Sequence, residues 1–289
     1  MTDIHVELLH PALGAKVTGL DLTRDLSEET FSAVHAAWME HLVLVLPNQA
    51  ISDDQRIEFA RMFGDLERHH QKIIKSAHAL EIFRVSNVDD TGALMQPDHP
   101  TVAQISLAQR WHTDSSYLAT PSMGSILHGI EITEDGGETC FSNMYRVYEA
   151  LPDRLRQKVD GRKMCHEFEH LTKLETIKPL TDVERASMPP VWQPLSRQHP
   201  VTGRISLYIS PIYNEAVEDM ATPEALDLIA ELTEFAERPE FVYPHKWTPH
   251  DIVMWDNRCT MHRVTPHDLG TRRVMHRTTV VGDGPVISA

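Results

Sequence analysis

The sequence predicts a mainly β protein with flanking helices, an antiparallel β core and two long loops. Three observations carry this. Short apolar or alternating runs recur between turn residues through the middle of the chain. The tail holds three further strand candidates, Glu240 to Tyr243, Asp251 to Trp255 and Arg273 to Val281. Helical spacing with recognisable caps occurs in only a few segments.

The elements follow in order. Gly14 and Gly19 are turn signals around short strands between Gly14 and Leu22. Ser27 opens a helix in which Phe31, Val34, Trp38 and Leu42 share a face. Leu42-Val43-Leu44-Val45-Leu46, closed by Pro47, reads as a buried strand. Ser52-Asp53-Asp54-Gln55 has the form of a capping box and starts a helix that stops at Gly64. Ile82 to Val88 is a strand. Residues 89 to 106, rich in Asp, Pro, Gly and Thr, form a long loop or lid. Ser125 to Ile132 and Thr139 to Phe141 are strands around a Gly136-Gly137 turn, and Asn143 to Leu151 is a helix ended by Pro152. Residues 171 to 196 form a second long loop with four prolines. Ile205 to Ile209 is a strand. Thr222 is the N-cap of a helix with Pro223 in its first turn and Leu226, Ile229, Leu232 and Phe235 on one face. Long loops in a compact domain are more often functional than not.

Composition narrows the function. The 289 residues suit a single domain spanning 1–289 whose core needs no staples. Lys plus Arg is 27 against 42 Asp plus Glu, a net charge of −15, which argues against a nucleic-acid partner and a polybasic membrane surface. No apolar run approaches the ~18 residues of a membrane span. Three cysteines outside CxxC spacing read as free thiols in a reducing, cytoplasmic setting.

The 18 histidines ask for an explanation. In Trp111-His112-Thr113-Asp114, a strand would point His112 and Asp114 to the same side. His262 supplies a third ligand from a distant segment. Two His and one carboxylate leave three positions open on an octahedral metal, the facial triad of non-haem Fe(II) oxygenases. A structural zinc site would be closed by four protein ligands. From Arg258 to Arg277 there are five Arg against one acid, Asp268. Arg273 and Arg277, four apart on a strand, suit a bidentate grip on carboxylates.

These residues carry a resemblance over nearly the whole chain. Val43-Leu44-Val45-Leu46 with Phe63-Gly64-Asp65-Leu66-Glu67, the segment from Trp111 to Tyr117, Gly136-Gly137-Glu138-Thr139, Tyr148-Glu149-Ala150-Leu151-Pro152, Trp255-Asp256-Asn257-Arg258 leading to His262, and Arg272 to Arg277 stand in the order and spacing of one family. The chain resembles the taurine and 2,4-dichlorophenoxyacetate dioxygenases that use Fe(II) and 2-oxoglutarate. The resemblance implies a double-stranded β-helix (jelly-roll, cupin-like) core. It implies that His112, Asp114 and His262 bind iron and that Thr139 and Arg273 hold the far carboxylate of 2-oxoglutarate. Arg277 is expected to face the substrate anion, with Tyr117 lining an aromatic pocket.

Within the family the phenoxyalkanoate-degrading branch is the more similar. Ser86-Asn87-Val88, the residues from Ala186 to Val191 and Arg197-Gln198-His199 resemble it, and Lys72 and His199 fall at its substrate-side positions. His69 falls where the taurine branch has a substrate-binding His. Leu107 and Ala108 stand where that branch holds taurine's amine, and Ala93 replaces a second Lys of the phenoxyacetate branch. The activity implied is hydroxylation of an aryloxyalkanoate, cleaved to a phenol and an oxo acid with release of succinate and CO2. A taurine, alkylsulfonate or alkyl sulfate dioxygenase is the alternative. A zinc hydrolase on the same ligands and a non-enzymatic iron or 2-oxoglutarate sensor are the readings from other classes. The partners expected are an anionic small molecule, 2-oxoglutarate and O2, in a homodimer or homotetramer.

Overall fold

A computed structural model describes residues 4–68, 79–174 and 179–289. Its larger sheet has seven strands, in spatial order His5–Leu8, Ala15–Thr18, Val43–Leu46, Ile252–Asp256, Gly124–Glu131, Val274–Val280 and Phe83–Ser86. Every neighbouring pair is antiparallel except Ala15–Thr18 with Val43–Leu46. Three smaller sheets accompany it. One is Val242–His245, Thr139–Asn143 and Thr260–Val264; the second is Asn214–Val217, Lys163–His166 and Val191–Pro194; the third is Ile205–Leu207, Ser196–Gln198 and Ile287–Ser288.

Strand periodicity sorts the side chains into layers. Val43, Val45, Leu127, Val253, Trp255 and Met275 pack with Phe141 and Tyr243 of the small sheet, forming the interior between sheets. The alternate residues Leu44, Leu46, Ile126, Ile252 and Met254 face the other way, onto helices Glu28–His41 and Asp53–Arg61. That is why the Leu42–Leu46 run is apolar at every position: both faces of the strand are covered. The small sheet repeats the pattern. Phe141 turns inward, while Cys140 and Met261 pack on helices Met144–Ala150, Asp153–Val159 and Thr222–Ala236. The result is a jelly-roll core with helices outside.

Local signals set the helix ends. Ser27 caps its helix through the Thr30 amide, and Ser52 and Gln55 bond each other's backbone in a complete capping box. Trp38 is fully buried against Gly124, where a Cβ would stand 2.5 Å from the indole ring, so only glycine admits this helix–sheet contact.

Three expectations need correction. The cap of the Thr222–Ala236 helix is Ala221, with no side-chain bond, and Thr222 is already helical. The segment 89–106 ends in helix Pro100–Ser106, capped by His99. The segment 171–196 contains most of helix His170–Leu174, all of Asp182–Ser187 with a Thr181–Glu184 capping box, and strand Val191–Pro194. These helices have five to seven residues, less than two full turns, so no apolar stripe exists to be read.

All three cysteines are free and buried. No helix among the described residues is long and apolar enough to cross a membrane. Buried histidines make the fold acid-sensitive. Burial pushes His166 down to about 3, and burial with the adjacent Arg56 guanidinium does the same to His128. Both folded values lie below the unfolded value of about 6.5, so the unfolded chain takes up protons first as pH falls. Stability should therefore decline from about pH 6.5 toward pH 3, by about 1.4 kcal/mol per pH unit for each group. Urea unfolding at pH 7.5 and pH 5 checks this. His166→Phe should lose about 2 kcal/mol less than the natural chain between those values; equal losses would remove His166 from the account.

Candidate active site

His112 and His262 face each other across an isolated antiparallel bridge. Each backbone N–H bonds the other's carbonyl, at 2.9 and 2.8 Å, and the imidazole centroids are 4.1 Å apart. Asp114 completes the group. Its Oδ1 is 3.9 Å from His112 Nε2 and its Oδ2 is 3.8 Å from His262 Nε2. All three are buried, and their ligand atoms lie within 4.8 Å of one another. The convergence does not come from strand alternation, as the sequence suggested. Asp114 lies in a turn, and Ser115 after it has φ 54°, a left-handed conformation uncommon for serine. The turn swings the carboxylate back under the two rings.

Hydrogen bonds set the ligand atoms. His112 Nδ1 lies 2.9 Å from the Arg110 carbonyl. A carbonyl only accepts, so Nδ1 carries the proton and the Nε2 lone pair faces the site. The His262 ring packs against Trp255, at 4.7 Å, and Phe141, at 6.1 Å. Burial would raise the Asp114 carboxyl, but Arg277, then His262, His112 and Ser125, outweigh it and hold the group well below the usual carboxylate range. Arg277 Nη1 donates to Asp114 Oδ1 at 2.6 Å, and Ser125 Oγ donates to Oδ2 at 2.7 Å. An anionic carboxylate with two neutral imidazoles is a donor set for a divalent first-row metal with open positions.

Two cavities meet at this group. The inner one, about 60 Å³, is lined by His112, His262, Trp255, Thr139, Arg273 and Arg277, among others. Arg273 is buried, with no carboxylate partner among the described residues; its Nη2 reaches only the Gly137 carbonyl, at 3.3 Å. Burial lowers its pKa to about 10. An unpaired guanidinium at that depth calls for an anion. Trp247 Nε1 donates to Thr139 Oγ1 at 3.0 Å. The indole can only donate, so the Thr139 hydroxyl proton is left for another acceptor. The residues thus fit a small dicarboxylate reaching from the metal to Arg273.

The outer cavity, about 260 Å³, is lined by His112, Asp114, Ser115, Arg277 and Arg68, with Phe83, Val85, Ile105, Leu107, Tyr117, Phe168, Leu171, Ile212 and Tyr213 among its apolar wall. Tyr117 packs edge-on against Phe168 at 4.8 Å and Tyr213 at 4.9 Å. The segment expected as a lid contributes Gln104 and Ile105 to this wall.

His199, expected on the substrate side, does not stand there. It is buried away from both cavities, its Nε2 is 3.0 Å from Asp256 Oδ2, and its Nδ1 accepts from the Val201 and Thr202 amides. Those bonds occupy both ring nitrogens, so it has nothing to offer a substrate. Lys72 and His69 lie outside the described residues. Sequence reasoning missed Ser125 and Asn257, which support Asp114, and Glu67. Burial raises the Glu67 carboxyl to about 7, and Glu67 accepts a bond from Ser115 at 3.0 Å. A serine in a strand or an acid just after an isolated bridge residue carries no sequence signal of such a role.

A jelly-roll holding a His-Asp-His group between two cavities defines an oxygenase of the facial-triad class. Residues 5–279 match the family described as taurine catabolism dioxygenase TauD, TfdA family, and the chain belongs to it. It is 36% identical over 282 residues to the alpha-ketoglutarate-dependent 2,4-dichlorophenoxyacetate dioxygenase of Cupriavidus pinatubonensis, covering 96% of this chain and 98% of that one. It is 32% identical to the (S)-phenoxypropionate/alpha-ketoglutarate-dioxygenase of Sphingobium herbicidovorans, over 95% of this chain and 94% of that one. The crystal structure of AAD-2 in complex with Mn(II) and N-oxalylglycine superposes with a TM-score of 0.89 at 34% identity, covering 99% of each chain. The protein is therefore a dioxygenase, which sets aside the zinc hydrolase and the sensor.

Proposed function

We propose that this dioxygenase uses Fe(II) and 2-oxoglutarate to hydroxylate an aryloxyalkanoate beside its ether oxygen. The observation that carries the reading is the arrangement of the two cavities. His112 and Arg277 line both, with an unpaired buried cation at the end of one and an aromatic wall around the other. His112, Asp114 and His262 would hold the iron. Arg273 and the Thr139 hydroxyl would hold the far carboxylate of 2-oxoglutarate. When bound, ferrous iron and 2-oxoglutarate supply the oxidation: O2 is consumed, succinate and CO2 leave, and one oxygen atom enters a substrate C–H bond.

The chain's own residues do the rest. Tyr117, packed edge-on against Phe168 and Tyr213, would offer the aryl ring an aromatic wall. Arg277 lines the outer cavity beside the triad, and its guanidinium would grip the substrate carboxylate there and set the ether-side carbon toward the triad. The apolar wall excludes water. Hydroxylated there, an aryloxyacetate is a hemiacetal and collapses to a phenol and glyoxylate. A cytoplasmic homo-oligomer goes with this reading, consistent with three unpaired cysteines.

Succinate release over a panel of phenoxyacetates, phenoxypropionates, taurine and alkyl sulfates tests the assignment. The aryloxy acids should give the highest kcat/KM, with phenol formed in equal amount to succinate. Faster turnover of taurine or an alkyl sulfate would overturn the substrate class and leave the dioxygenase class intact.

A further inference from the structure

The end of strand Ile252–Asp256 and the turn that follows it, Trp255-Asp256-Asn257-Arg258, lie outside both ligand segments, yet they reach Asp114 through an unbroken set of buried hydrogen bonds. Trp255 Nε1 is 2.9 Å from Asn257 Oδ1. Asn257 Nδ2 is 3.0 Å from both Ser122 Oγ and Ser125 Oγ. Ser125 Oγ is 2.7 Å from Asp114 Oδ2, and Ser122 Oγ is 3.2 Å from the Asp114 carbonyl. All of these side chains are buried.

The direction of every bond follows from the first. An indole N–H only donates, so the Asn257 oxygen must face Trp255 and its amide protons must face the two serines. Each serine oxygen then accepts from Asn257 and has its own proton left to give. Ser122 gives it to the Asp114 backbone and Ser125 gives it to Oδ2. The turn itself is clamped. Arg258 Nε and Nη2 reach the two Asp256 oxygens at 2.9 and 2.6 Å, and His199 adds a third bond at 3.0 Å. From the same turn, Thr260 Oγ1 donates to the Asp256 carbonyl at 2.7 Å and starts the strand that carries His262.

We infer that Asn257, through Ser125, is the positioning residue for the metal-binding carboxylate. Through Ser125 it fixes Asp114 Oδ2, while Arg277 holds Oδ1, so the carboxylate is set from both oxygens beside His112 and His262, and the same turn sets His262. The inference rests on the assignment of His112, Asp114 and His262 as the metal ligands. The hydrogen-bond partners of metal ligands usually contribute about 10–100-fold to affinity.

Anaerobic calorimetry with Mn(II) alone tests it, beside thermal unfolding of the metal-free protein. Asn257→Asp cannot donate to the serines and should weaken Mn(II) binding by about 10–100-fold. Ser125→Ala, which removes one oxygen and adds nothing, should fall in the same range and decides the matter if Asn257→Asp does not fold. Trp255→Phe frees the amide to turn over and should give a smaller loss. In each case the loss of Mn(II) affinity should exceed what the shift in unfolding temperature accounts for. Folded Ser125→Ala protein that binds Mn(II) as the natural chain does would overturn the inference. A natural chain that binds no Mn(II) would overturn the ligand assignment beneath it.

Discussion

Arg273→Ala should raise the KM for 2-oxoglutarate by about 30- to several-thousand-fold, the equivalent of the 2–5 kcal/mol typical of a lost buried charge pair. The KM for the aryloxy substrate should move far less. The asymmetry follows from placement: Arg273 lines only the inner cavity, and its backbone is fastened to Asn87 Oδ1 by a 2.8 Å bond. Thr139 remains as a single neutral donor. Removing the guanidinium also removes an unpaired buried charge, so the variant should be at least as stable as the natural chain without ligand. Steady-state kinetics with each substrate varied in turn makes the check. An equal rise in both KM values would refute the assignment of Arg273 to the co-substrate.

Asp114→Asn should abolish turnover and weaken divalent metal binding by more than the ~100-fold upper range of an outer partner. The substitution keeps the shape and deletes the charge. Two neutral imidazoles would then sit beside the Arg277 guanidinium, which now donates to Asp114 Oδ1, so the site would change from a place that attracts a cation to one that repels it. Arg277 would lose its anionic partner as well, and the metal-free fold should weaken by a few kcal/mol. Mn(II) titration and denaturant unfolding read the two effects separately. Retained metal binding in folded Asp114→Asn would remove Asp114 from the ligand set.

Much of this was legible in the sequence because the signals are local. The Ser52–Gln55 capping box, the Ser27 cap and the continuously apolar strand from Val43 to Leu46 each depend on neighbours within a few positions. The HxD pair and the distant His262 were legible because few residue types bind metal. What escaped depends on tertiary neighbours. His199 reads the same whether it meets a substrate or a buried carboxylate, and only the approach of Asp256 decides. Ser125 looks like any small residue in a strand, and its role exists only because Asp114 and Asn257 meet there. Arg273 and Arg277 read as a pair on one strand face. In the structure Arg273 stands before the strand, and a register irregularity follows at Val274/Met275, so both reach the inner cavity by a less regular path.

The paired backbone bonds between His112 and His262 settle how an ion enters this protein. The two imidazoles are separated by 150 positions in the chain. Drawing the ends of so long a loop together carries an entropic cost of about 4 kcal/mol. Here that closure belongs to folding, since the bridge joins main chain to main chain. An arriving ion therefore meets two imidazoles that the main chain already holds together. Chelation should therefore strip the centre and leave the barrel standing, and exchange of one divalent ion for another becomes a matter of competition at a ready-made seat instead of a cycle of collapse and refolding.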